Sequence, residues 1–124
     1  MTPSILVADD EKIVNDLLKL FLEQAGLHVF SAFTGKEALE IIQQEKPPII
    51  VLDIGLPDMS GIDVIHEVKL LVPNTIVFVM TGYKDDDLEK KAQELGVARF
   101  ISKPFAAQDL VEDIKNTLRT VEKA

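Results

Sequence analysis

Short, mainly apolar runs alternate five times along the chain with stretches whose apolar positions recur at helical spacing. The runs are Ser4–Ala8, His28–Ala32, Ile49–Leu52, Thr75–Met80 and Ala98–Ile101. Each is too short for a helix and is bounded by turn residues, the mark of a strand in a largely buried sheet. Helices are predicted for about Glu11–Ala25, from Thr34 to about Gln44, for Gly61–Leu71, Asp85–Leu95 and about Ala106–Val121. Gly26 and Gly96 stand just past two of the ends, and Pro47-Pro48 and Pro73 close two others. Thr34-Gly35-Lys36-Glu37 forms a capping box, and Ser60 caps the third helix. His28 and Ser31 mark the second strand as an edge. Strictly alternating strands and helices predict an α/β fold, a parallel sheet with helices on both faces.

The helical faces differ in strength. Val14, Leu17, Leu18, Phe21, Leu22 and Ala25 share one face of the first helix, and Ile13 and Leu20 widen it beyond what one sheet contact needs. That surplus is either core, the plainer reading, or a rim for docking another helix. The second helix turns Ala38, Ile41 and Ile42 inward, and the fifth Leu110, Ile114, Leu118 and Val121. The fourth has only Leu88, Ala92 and Leu95, with Asp85, Asp86 and Asp87 at the positive end of its dipole. Thin anchoring makes it the helix most able to shift.

Composition narrows the classes. A chain of 124 residues fits one domain, residues 1–124, and neither linker, repeat nor low-complexity segment interrupts it. A net charge of −8 argues against a nucleic-acid surface on this domain. The absence of cysteine excludes disulfides, thiolate metal sites and a cysteine nucleophile. No apolar run reaches the roughly 18 residues of a membrane span. Nor is there a signal-peptide pattern before the first strand, so the expectation is a soluble, cytoplasmic domain. The phosphate-loop, dinucleotide and serine-elbow motifs are missing, and His28 and His66 lack ligand spacing and read as surface or edge residues.

The chemistry gathers at the strand ends. The first strand ends in Asp9-Asp10, the third in Asp53, the fourth at Thr81 and the fifth near Lys103. Parallel strands share a direction, so these ends lie on one rim, where ligands bind in open sheets. Right-handed crossovers set the first strand beside the third, so the three carboxylates converge. Taken singly, each has an ordinary reading: a cap, a turn residue, a solvated lysine. Their joint placement on four of five strand tips does not. Converging carboxylates repel, so either some are protonated or a cation neutralises them. Oxygen ligands without sulfur or imidazole favour Mg²⁺, or Mn²⁺ in its place. Lys103 offers a point charge and Thr81 a hydroxyl, both suited to a phosphoryl group, and an aspartate can accept such a group covalently.

These residues resemble the receiver domain of two-component response regulators. The likeness runs from Ile5 to about Val121 and rests on Asp9-Asp10, Asp53 with Leu56-Pro57 and Gly61, Thr81-Gly82 and Lys103-Pro104-Phe105. It implies a flavodoxin-like, doubly wound five-stranded sheet of order 2-1-3-4-5 with five helices. It implies that Asp53 takes a phosphoryl group from a sensor histidine kinase or a histidine phosphotransfer protein. Asp10, Asp53 and the Gly55 carbonyl would bind Mg²⁺, with Asp9 acting largely through water. Thr81 and Lys103 would grip the phosphoryl oxygens, and the Lys103-Pro104 bond would be cis. Thr81 and Phe100 would form the switch that reshapes the helix 4, strand 5 and helix 5 face for an output partner. A phosphorylation-dependent homodimer is one form that output could take.

Gly55 and Tyr83 stand where the lifetime of the phosphoryl group would be tuned, and Val14 and Leu17 where a phosphodonor helix would dock. The resemblance implies a signalling domain that assists its own phosphorylation and dephosphorylation rather than an enzyme. The rival is a pseudo-receiver, an interaction domain that is never phosphorylated. A haloacid-dehalogenase-type phosphohydrolase fits poorly, since it would need an aspartate where Gly55 stands.

Overall fold

The computed structural model describes residues 3–82 and 85–123, with side chains through Thr120. Five strands, β1 (Ser4–Ala8), β2 (His28–Ala32), β3 (Ile49–Asp53), β4 (Ile76–Thr81) and β5 (Arg99–Ser102), alternate with five helices. The helices are α1 (Lys12–Gln24), α2 (Gly35–Glu45), α3 (Gly61–Leu71), α4 (Asp86–Glu94) and α5 (Ala107–Lys123). The strands form one sheet in the order β2-β1-β3-β4-β5. All its pairs are parallel. This is the doubly wound order expected, and it places β3 at the centre.

Period-two alternation sorts the side chains between two cores. Leu6, Ala8, Ile50, Leu52, Val77 and Val79 face one side, with α2, α3 and α4 residues such as Ala38, Ile42, Val64, Val68 and Ala92. Ile5, Val7, Ile49, Val51, Phe78 and Met80 face the other, with Leu18 and Leu22 of α1 and Leu110 and Ile114 of α5. Each Val, Leu, Ile, Phe or Met among them contributes about 1.5–3 kcal/mol on burial. β3 is buried at every position because helices cover both of its faces.

Several expectations needed correction. Ile13 is 84% exposed and Leu17 44%, and Leu20 is exposed too, so the surplus stripe of α1 is surface rather than core. The buried residues of α1 are Leu18 and Leu22, as its face predicted, and Asn15, which it did not. β4 and β5 both run one residue later than their apolar runs suggested, since Thr81 pairs with Ser102 at the end of the ladder. Thr75 turns away to bond Pro47 O through its hydroxyl at 3.2 Å. In the capping box, Thr34 Oγ1 accepts from Glu37 N at 3.1 Å. The Glu37 carboxylate, however, accepts from Phe33 N rather than from the threonine's own N–H. Ser60 caps α3 as expected, accepting from Ile62 N at 3.2 Å. His28 and His66 are exposed.

Candidate functional site

The parity that sorts the cores also aims the site. Asp9 continues the Ile5–Val7 side of β1, Asp53 the Ile49–Val51 side of β3, and Lys103 the Ile101 side of β5, so all three point toward the α1 and α5 side. There Lys103 Nζ donates to Asp53 Oδ2 at 2.7 Å and to Glu11 Oε1 at 2.8 Å. It also lies 2.8 Å from Asp9 Oδ2. That last contact is close but out of line for a hydrogen bond, leaving Asp9 Oδ2 buried without a hydrogen-bond donor. Gly55 N–H donates to Asp53 Oδ1 at 2.8 Å, so both oxygens of the central carboxylate are held. Asp9 Oδ1 accepts from Glu11 N at 2.9 Å, fixing the turn into α1.

Asp9, Asp10 and Asp53 each present an oxygen within 4.8 Å of the others. Asp9 and Asp53 are buried and Asp10 is exposed. Among the described residues one ammonium, that of Lys103, serves these three and Glu11, so negative charge is left over there. Burial, chiefly, pushes the Asp9 carboxyl above the usual carboxylate range, and the charge of Asp53 adds to this against the pull of Lys103 and Glu11 N–H. Burial works against the Lys103 ammonium, but its hydrogen bonds to Asp53 and Glu11 and its ion pair with Asp9 outweigh that and raise its pKa. An all-oxygen donor set with surplus charge and a buried, donorless carboxylate oxygen suits a hard dication such as Mg²⁺.

The remaining expected residues fall around this centre. Thr81 is buried at the β4 tip, and its carbonyl accepts Lys103 N at 2.7 Å. Phe100 lies opposite Val79 on β5, half-buried against the α2–α4 core, on the face that Thr81 shares by alternation. Gly55 is exposed, and a Cβ there would stand 3.5 Å from Asp53 Oδ1, directly over the carboxylate. Tyr83 lies outside the described residues. Val14 and Leu17 line a groove of about 400 Å³ that also includes Glu11, Lys103 and Phe105. The Lys103-Pro104 bond is cis.

Three contributors escaped the sequence reading. Asn15, fully buried, donates through Nδ2 to Asp9 O at 3.1 Å and Ala32 O at 3.0 Å, pinning the acidic turn to two strand ends. Asp58 accepts from Gly35 N at 2.7 Å and Lys36 N at 3.0 Å, clasping the loop after β3 onto the start of α2. Glu11 is the third. A polar residue inside the apolar period of α1 was the only available signal for Asn15; the other two depend on contacts across the fold.

The described family of response regulator receiver domains matches residues 5–115. Solved structures agree. A CheY-like response regulator receiver domain protein from Methanospirillum hungatei is 32% identical, with a TM-score of 0.95 over 99% of this chain and 98% of that one. A receiver domain protein from Clostridium thermocellum is 31% identical, with a TM-score of 0.89 over 97% of each chain. The BeF3-activated receiver domain of DrrB, a Thermotoga maritima protein, is 32% identical, with a TM-score of 0.87 over 96% of this chain and 99% of that one. With the family pattern matched over most of its length, on the same sheet order and around an acidic pocket at the strand tips, the chain belongs to the receiver domains of two-component response regulators.

Proposed function

We propose that residues 1–124 act as one phosphorylation-controlled receiver, in which Asp53 accepts a phosphoryl group from a sensor histidine kinase or histidine phosphotransfer protein. The observation that carries this is the setting of Asp53: one oxygen held by Gly55 N–H, the other by Lys103 Nζ, inside a cluster of carboxylates. A carboxylate so oriented is a placed nucleophile. One Asp53 oxygen bonds to phosphorus as the bond from phosphorus to the donor imidazole nitrogen breaks, and the electron pair stays with that nitrogen. Lys103 and Thr81 bind the phosphoryl oxygens, so that charge on the transferring group meets an ammonium and a hydroxyl. Mg²⁺, or Mn²⁺ in its place, held by Asp10, Asp53 and the Gly55 carbonyl with Asp9 acting through water, would neutralise further phosphoryl charge. Asp53 is itself the group that is modified, and its later dephosphorylation resets the domain, so it acts as a signalling device and not as an enzyme on a separate substrate.

The docking partner follows from α1. Ile13, Leu17 and Leu20, at i, i+4 and i+7, form an exposed apolar stripe beside the groove that leads to Lys103. It suits a helical phosphodonor met in the cytoplasm. Leu17→Ala should slow transfer from such a protein and leave acetyl phosphate uptake unchanged; equal slowing of both would refute the docking role. On the other face, Thr81 moving toward the phosphoryl group would free space for the Phe100 ring and shift the α4, β5 and α5 surface toward an output partner or a second copy. Tyr83→Ala should hasten dephosphorylation if that ring shields the phosphoryl group. Borohydride reduction converts an aspartyl phosphate to homoserine. Peptide mapping after acetyl phosphate treatment should place homoserine at position 53 alone. Its absence would favour the pseudo-receiver reading.

A further inference from the structure

Glu11 departs from what its place in the chain favours. It is the N-cap of α1, where serine, threonine, aspartate and asparagine serve best because a short side chain can accept from the first helical N–H groups. Its side chain makes no such bond. It reaches instead across the fold, 92 residues along the sequence, to accept from Lys103 Nζ at 2.8 Å. A locally unfavoured residue committed to a site is a sign that function holds it there.

The ammonium's contacts give that sign its meaning. Lys103 has three N–H donors. Two are donated, to Asp53 at 2.7 Å and Glu11 at 2.8 Å, and Asp9 Oδ2 crowds the same nitrogen at 2.8 Å, so carboxylates close in on the ammonium from three sides. An ammonium that is to hold phosphoryl oxygens must release a partner, and the three are not equally free to go. Asp9 is fully buried, and an unpaired carboxylate there is costly. Asp53 is the acceptor itself. Glu11 is 59% exposed, so water can replace its partner cheaply.

We infer that Glu11 is the exchangeable partner of Lys103, tethering the ammonium in the unmodified protein and releasing it when a phosphoryl group arrives on Asp53. The inference rests on the phosphoacceptor reading above. Glu11 is a positioning residue that acts through Lys103, and it restrains phosphoryl uptake rather than promoting it. It also lines the groove beside Lys103, so an incoming donor meets the tether before it meets Asp53.

Two substitutions separate a tether from simple charge repulsion. Glu11→Gln keeps the length and removes the charge; Glu11→Asp keeps the charge but withdraws it by one methylene. In the full chain with saturating Mg²⁺, both should tighten beryllofluoride binding and speed uptake from acetyl phosphate by about three- to fivefold, the scale of one exposed charged contact. Crystals of the beryllofluoride-loaded wild type should show Glu11 detached and Lys103 Nζ on fluoride. The inference is overturned if Glu11→Asp matches wild type while Glu11→Gln does not, if neither changes anything, or if Glu11 stays on Lys103 in the loaded crystal. A wild-type protein that takes up phosphoryl groups while both variants match it in rate and binding sinks this inference alone. One that takes up none sinks the phosphoacceptor reading and this inference with it.

Discussion

Gly61 shows how tightly the loop carrying the acceptor is fitted. Its N–H donates to Ile54 O at 3.0 Å, and a Cβ added to it would come within 2.7 Å of that same oxygen. The obstacle is backbone and cannot rotate away. Gly61→Ala should therefore cost about 1–3 kcal/mol in urea unfolding. A loss under about 0.5 kcal/mol, the range of neutral surface changes, would contradict this. Asn15→Leu tests the other support of the site. It would take the side-chain donor from Asp9 O in a buried setting and one of two donors from Ala32 O, which keeps Asp9 N–H. A loss of about 1–3 kcal/mol is expected, and an unchanged urea midpoint would refute the role. The residues at the strand tips were legible because strand direction alone fixes where an Asp or Lys after an apolar run must lie. Asn15, Glu11 and Asp58 were not, because each is defined by a partner on another element.

Elements were legible where the apolar period was strong and blurred where ends depend on capping. α3 runs over Gly61–Leu71 as its Ser60 cap and Pro73 foretold. α1 shows the limit of the period: its spacing groups Leu17 with Leu18, yet only Leu18 is buried, since a single sheet contact covers a narrower arc than the stripe spans. α2 ends on Lys46 with φ 46°, a left-handed residue that bears a Cβ. Lys46→Gly should stabilise the protein by about 0.5–1 kcal/mol, measured by thermal unfolding, and a destabilisation would count against it. α4 buries only Ala92 among its own residues, with Leu88 and Leu95 packed at the margin of the core. Its amides should exchange hydrogen faster than those of α1 or α5, as thin burial permits local opening. Equal protection across the three helices would remove α4 as the mobile part of the switch.

At the scale of the whole molecule, stability and function oppose each other through charge. The Asp9 carboxyl is raised on folding, foremost by burial, so the folded state holds its proton more tightly than the unfolded chain does. Its contribution is therefore present at low pH and lost as pH rises from the ordinary 3.8 through the raised folded value. Asp9→Asn should thus raise the melting temperature at neutral pH and give little gain well below pH 3.8; a lower melting temperature at neutral pH would contradict the sign. Asp58 has the opposite sign: the N–H groups of Gly35 and Lys36 hold its pKa down, so its contribution is lost as pH falls below the usual carboxylate range.

The central claim is that the carboxylates and Lys103 are gathered to modify one of their own number, Asp53. Intact-mass spectrometry after incubation with Mg²⁺ and acetyl phosphate tests it most directly, with Asp53→Asn and a chelator alongside. The account predicts a gain of one phosphoryl group in the wild type, none in Asp53→Asn and none with the metal removed. No gain in the wild type, or an equal gain in Asp53→Asn, would contradict it.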